Sequence, residues 1–175
     1  MSSHSAVEVA VLSARLNGFR LPMGLVISLV EVQGKGLFIQ KRPFVIRLSE
    51  PGSFEAHVTD ADLADFLNGK SPGGLKGFKV SSSKGVLTIE AVKSMLVEVP
   101  VKATCHLRIH QGQQLFVELE SVEVMGAGAK NLVKSQLDKI NPVLDMAEFP
   151  VDGSLLSVNS DAGVTILRGE VAPKG

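Results

Sequence analysis

The stretch Met95–Met125, MLVEVPVKATCHLRIHQGQQLFVELESVEVM, decides the fold. In its first arm Val97, Val99, Val101, Ala103, Cys105, Leu107 and Ile109 are apolar, while Glu98, Lys102, Thr104, His106, Arg108 and His110 between them are polar. Such alternation marks a half-buried strand, because successive side chains leave a pleated backbone on opposite faces. Thirteen residues at about 3.3 Å each make a strand of roughly 43 Å, against a usual length of about 5 to 6 residues. A strand so long has to curve, and it buries one face throughout only if something lies in the trough.

The return arm fixes the hairpin. For the apolar faces to coincide, opposed residue numbers must add to an even value, which excludes a two-residue loop and favours three residues around Gly112. One such register pairs Arg108 with Glu118 and His106 with Glu120 on the outer face. Leu115, Val117 and Leu119 share a face, but Val122 and Val124 continue it one residue out of step. A β-bulge is therefore expected near Glu120-Ser121, bending the sheet.

Upstream, Val7, Val9 and Val11 alternate, and Leu25 to Val32 is β-branched and apolar on both faces. Gly34 and Gly36 then read as a turn. Leu37 to Gln40 and Phe44 to Leu48 resume the alternation, with Pro43 confining its strand to an edge or bulge. Pro51-Gly52 turns the chain before Phe54, Ala56 and Val58. The N-terminal third is thus expected to be an antiparallel meander. At Thr59 the period changes: Thr59 as N-cap and the acids of Asp60-Ala61-Asp62 start a helix, with Leu63, Phe66 and Leu67 on one face and Asn68-Gly69 as its stop. Lys70 to Gly77 is turn-rich, and Phe78 to Val80 and Val86 to Ala91 flank a tight turn at Ser83-Lys84-Gly85.

Downstream, a second helix begins near Gly126 to Lys130. Ala129, Leu132, Val133, Gln136, Leu137 and Ile140 form its apolar stripe, and Asn141-Pro142 ends or kinks it. Val143, Leu144 and Met146 extend the apolar surface. Phe149-Pro150 leads to a last hairpin, Leu155 to Val158 and Val164 to Leu167, turning at Asn159 to Gly163. No period repeats, so the 175 residues are expected to form a single domain, with Met1 to Ser5 as a disordered tail or the remnant of a tag.

Composition narrows the function classes. The 18 basic and 18 acidic side chains cancel, which disfavours binding by phosphate neutralisation and leaves little charge protection against self-association. One cysteine excludes an internal disulfide framework, and Cys105, on the apolar face, reads as a small buried hydrophobe. Trp and Tyr are absent. No signal peptide or 18-residue apolar run is visible. The expected location is the cytoplasm for the chain as it stands, or an exported one if a leader has been removed.

Catalytic motifs are sparse. Gly126-Ala127-Gly128-Ala129-Lys130-Asn131 follows a strand and opens a helix, as a dinucleotide loop does, but lacks the third glycine and the following parallel strand, and reads as a plain turn. His106 and His110, four residues apart on one strand face, stand about 13 Å apart, too far to share a zinc ion. There is no Gly-x-Ser-x-Gly elbow. No metal, cofactor or catalytic residue is expected. The lysine-rich loop that holds Lys76, Phe78 and Lys79 has the composition to touch anionic headgroups or a membrane surface.

The order of elements is itself informative. Val58-Thr59-Asp60-Ala61-Asp62-Leu63-Ala64-Asp65-Phe66-Leu67, then Gly85-Val86-Leu87-Thr88-Ile89, the hairpin, the helix, Ile140-Asn141-Pro142-Val143-Leu144-Asp145 and Phe149-Pro150 resemble the LmeA-like family of phospholipid-binding proteins. The resemblance spans roughly residues 56 to 169 and is weak before Ser53; exported relatives carry an N-terminal signal or anchor not seen here. It implies an α+β fold of the tubular lipid-binding type: a long, curved, mostly antiparallel β-sheet wrapped around one long α-helix, with a second short helix, and lipid held between. On that reading the protein is a non-enzymatic binder or carrier of phospholipid or another acyl-chain lipid. Leu63, Phe66, Leu67, Val97, Val99, Val101, Leu107, Ile109, Leu132, Val133, Leu137 and Ile140 would line the groove, since an aliphatic groove suits flexible tails that ask for no directional partner. The rival is a structural or assembly module with a fully packed core and a sheet edge that binds a protein partner. A hydrolase using His57 or His106 is a third reading.

Overall fold

The computed structural model describes residues 6–21, 23–41, 44–94, 96–124, 129–148 and 152–172. In chain order they form β1 (Ala6–Arg20), β2 (Val26–Lys41), β3 (Phe44–Leu48), β4 (Gly52–Thr59), α1 (Asp60–Lys70), β5 (Leu75–Ser83), β6 (Val86–Ser94), β7 (Glu98–His110), β8 (Gln114–Val124), α2 (Ala129–Ile140), β9 (Leu144–Asp145), β10 (Gly153–Asp161) and β11 (Val164–Val171). The strands build two antiparallel sheets. One has the order β1-β2-β4-β11-β10, with β3 also on β2; the other is β5-β6-β7-β8-β9.

The deciding hairpin is present as β7 and β8. Its loop is Gln111-Gly112-Gln113, closed by the pair His110 and Gln114, with Gln111 and Gly112 in the left-handed region that turns the chain. The register shifts between Thr104, opposite Ser121, and Cys105, opposite Leu119, so Glu120 is the extra residue of a bulge where one was expected. The Cα register itself lies two residues from the expected one: Arg108 faces Phe116 and His106 faces Glu118. The expected charge pairs nonetheless form along the diagonals, Arg108 Nε to Glu118 at 3.5 Å and His106 Nε2 to Glu120 at 3.0 Å. Diagonal neighbours lie within reach of long side chains.

Three expectations are corrected. First, the strands form two sheets rather than one; α1 and the turn after it carry the chain from β4 in the first sheet to β5 in the second. The sheets abut at β10, where the Leu155 N–H donates to Gly112 O at 2.7 Å and the Gly85 N–H to Ser160 O at 2.8 Å, giving a curled half-barrel. Second, no long helix fills the trough. α2 has 12 residues, about 18 Å at a rise of about 1.5 Å, less than half the span of β7. It stops at Asn141, and the first sheet and α1 cover the remaining surface. Third, Gly34 and Gly36 do not turn the chain. β2 runs through both in constant register with β1. A Cβ on Gly36 would collide with Ser49 Oγ, and one on Gly34 would crowd Leu48. These glycines admit the close approach of the chain beside β3. The reversal lies at the apolar Leu21–Leu25, where Leu21 N–H bonds Leu25 O at 2.8 Å. Pro43, Gly126 to Gly128 and Phe149-Pro150 fall outside the described residues.

Both helices are anchored by the same device. Asn68 in the last turn of α1 accepts from Phe78 N–H at 2.9 Å and donates to Phe78 O at 3.1 Å. Asn141, just past α2, does the same with Val117: the N–H donates to Oδ1 and Nδ2 to the carbonyl, both at 2.9 Å. A carboxamide has the donor and acceptor of a peptide group, so each asparagine extends the second sheet by one residue. At the other end of α1, Thr59 Oγ1 caps the helix by accepting from Asp62 N–H at 3.1 Å. The helix runs to Lys70, past Asn68-Gly69, and Ser71 closes it in the left-handed conformation.

Candidate functional site

The core falls into two clusters. One lies under the second sheet around Cys105, Phe78 and Leu137; the other lies under the first sheet around Ile27, Val58 and Leu167. Leu63 of α1 and Leu107 of β7 pack against both. Along this seam runs an apolar slot with a cavity volume of about 90 Å³. The walls therefore stand close together, in a narrow channel rather than a bowl. Of its 20 lining residues only Thr165 is polar, and its hydroxyl is engaged with Ser160 Oγ at 2.8 Å.

The local sequence explains who lines it. α1 presents Leu63, Phe66 and Leu67 at helical spacing, and α2 presents Leu137 and Ile140. β7 supplies Leu107, one of its inward row. At one end Met23 and Phe66 separate the slot from a polar groove that also holds Arg20, Asp62, Asp65 and Lys70. Lys70 Nζ lies 5.9 Å from the centroid of the Phe66 ring, over the aromatic face that attracts a cation.

Six of the expected lining residues meet in the slot: Leu63, Phe66, Leu67, Leu107, Leu137 and Ile140. Val101 and Val133 line an adjoining small pocket that shares Leu67, Ile89, Leu137 and Ile140 with it. Ile109 packs against the other cluster, and Leu132 is half-buried without reaching either space. Val99 is half-buried and lines neither space. Val97 is a correction: it is 71% exposed, because β7 starts only at Glu98. Phe78 is another. It is buried in the core, not offered to headgroups, because a bulge between Lys76 and Lys79, with Gly77 at φ +63, brings Leu75 and Phe78 onto one face although they are three residues apart. Lys76 and Lys79 are exposed, and Lys79 belongs to a row of alternating charge across four strands, Lys79, Glu90, Lys102 and Glu123.

Sequence reasoning missed the contribution of Leu21, Met23, Leu25 and Ile27. The available signal was a β-turn region that is apolar, where turns are normally polar.

The remaining reactive groups sit outside the slot's walls or are inert. Cys105 is fully buried, and burial pushes its thiol up to about 11. His57 Nε2 lies 2.5 Å from Glu55 Oε1. That hydrogen bond, helped by Arg168 at 2.7 Å, outweighs burial and holds the Glu55 carboxyl below the usual range. His110 lies 3.3 Å from Glu118 and stacks on Phe116 with centroids 4.3 Å apart. His57, on β4, and His106 and His110, on β7, belong to different sheets. Among the described residues no group of three or more His, Cys, Asp or Glu is placed to hold a metal, and no helix is long and apolar enough to cross a membrane. The chain matches no family model, no curated protein and no solved structure.

Proposed function

We propose that the protein binds an acyl-chain lipid without chemical turnover, with the chain in the slot between the sheets and the polar head in the groove beyond Met23 and Phe66. The observation that carries this reading is the wall itself: an interior space lined by 19 apolar residues and one already satisfied hydroxyl offers nothing to a polar ligand and everything to a hydrocarbon. A flexible tail can thread a narrow space, and methionine and leucine side chains can shift to widen it. Asp62, Asp65 and Lys70 bring both signs of charge to the groove, which suits a zwitterionic head better than a purely anionic one.

The absence of Trp from the chain provides a clean test. Leu63→Trp places one fluorophore on the slot wall, and Leu156→Trp places one on the exposed side of β10. A brominated fatty acid should quench the first and spare the second, and organic extraction of protein purified from cells should yield lipid. Equal quenching at both positions, or none at position 63 together with no extractable lipid, would sink the proposal and favour the rival of a packed core.

A further inference from the structure

The two ends of the strand order in the first sheet differ. β10 is closed by the turns of the second sheet, whereas among the described residues β1 pairs only with β2. β1 is 15 residues long, keeps a constant register with β2, and exposes Val7, Val11, Leu16 and Phe19. It has no lysine, proline or bulge, the devices that normally keep an edge from pairing. Its three charges are Glu8, Arg15 and Arg20. Arg15 lies 3.5 Å from Glu31 on β2, while Glu8 and Arg20, near opposite ends, have no ion-pair partner among the described residues.

We infer that β1 pairs antiparallel with β1 of a second copy of this chain about a two-fold axis. Such an axis, perpendicular to the sheet, preserves its faces, so each residue must oppose one of the same parity. Glu8 and Arg20 satisfy this, and setting Glu8 opposite Arg20 of the partner subunit forms the same pair twice by symmetry. In that register Leu12 opposes Leu16 on the same face, and Val9 opposes Phe19 on the other. Sliding two residues one way sets Arg15 against its own copy; sliding the other way sets Glu8 against Gly18 and Val11 against Arg15. Charge complementarity thus selects one register. The zero net charge of the chain offers no repulsion against it.

Sedimentation velocity of lipid-extracted protein at low salt over the micromolar range tests this. Wild type should show a concentration-dependent monomer–dimer equilibrium. Glu8→Arg and Arg20→Glu, both surface changes, should each weaken it about tenfold by opposing like charges at two symmetric sites, and the double swap should restore it. Monomer throughout the range, single variants that associate like wild type, or a double variant that fails to recover would each overturn the inference.

Discussion

Replacing Asn141 tests the claim that a side-chain amide completes the second sheet. Asn141→Ala removes two hydrogen bonds of 2.9 Å to Val117 and leaves a half-buried N–H and C=O unpaired. At a net 0.5 to 1.5 kcal/mol per bond, the loss is about 1 to 3 kcal/mol. For a chain of this size that lowers the melting temperature by roughly 2 to 12 °C. Asn141→Asp is the sharper probe. Its carboxylate accepts from the Val117 N–H but presents a lone pair to the Val117 carbonyl, so at pH 7 it should cost at least as much as alanine. Protonation restores a donor, which raises the folded-state pKa of the new carboxyl above its unfolded value near 4. A raised pKa gives stability that is present below the unfolded value and lost as pH rises through the folded one, so the aspartate deficit should shrink on acidification while the alanine deficit stays. Thermal melts by circular dichroism at pH 7 and at acid pH measure both. An aspartate variant that melts with wild type at neutral pH would refute the strand-surrogate reading.

Two further outcomes follow from the ionisable groups. Cys105, fully buried with its thiol pushed up to about 11, should react with iodoacetamide at pH 8 on the order of a hundredfold more slowly in the native than in the unfolded chain, measured by mass spectrometry. Glu55 has a lowered folded pKa, from its hydrogen bond to His57 first and from Arg168 second, so its stabilisation is present above the unfolded value and lost as pH falls through the folded one. Glu55→Gln should therefore lower the melting temperature at pH 7 and make little difference in strong acid; an equal loss at both would show that packing, not charge, is at stake.

What was legible in the chain was what local chemistry dictates. Alternation gave β7, the parity slip between Leu119 and Val122 gave the bulge at Glu120, and Thr59 with its acids gave the start of α1. What was not legible depended on contacts far apart in sequence. Gly34 and Gly36 carry the composition of a turn, and only the approach of Leu48 and Ser49 explains why they lie inside a strand. The division into two sheets likewise depends on where the hairpin turns at Gly85 and Gly112 meet β10. The site was half readable for the same reason. α1, α2 and β7 show their inward faces by periodicity, whereas Leu21 to Leu25 has none. Gly77 was the readable exception: apolar residues three apart around a glycine announce a bulge and would have turned Phe78 inward.

On the proposed reading, the anchoring of α1 also decides how a lipid would enter. Thr59 continues from β4 in the first sheet, and the Asn68 side chain is hooked by hydrogen bonds to the backbone of Phe78 in the second, so α1 is held to both walls. Asn141 holds the end of α2 to β8 in the same way. Lifting either helix would break such bonds in pairs. Met23 and Phe66, by contrast, stand between the slot and the polar groove and make no hydrogen bond with their side chains. Methionine has three rotatable side-chain bonds and Phe66 is only half-buried, so turning these two side chains is the least costly opening. Entry between Met23 and Phe66 puts the head beside Lys70 with the chain already aimed along the seam marked by Leu63 and Leu107.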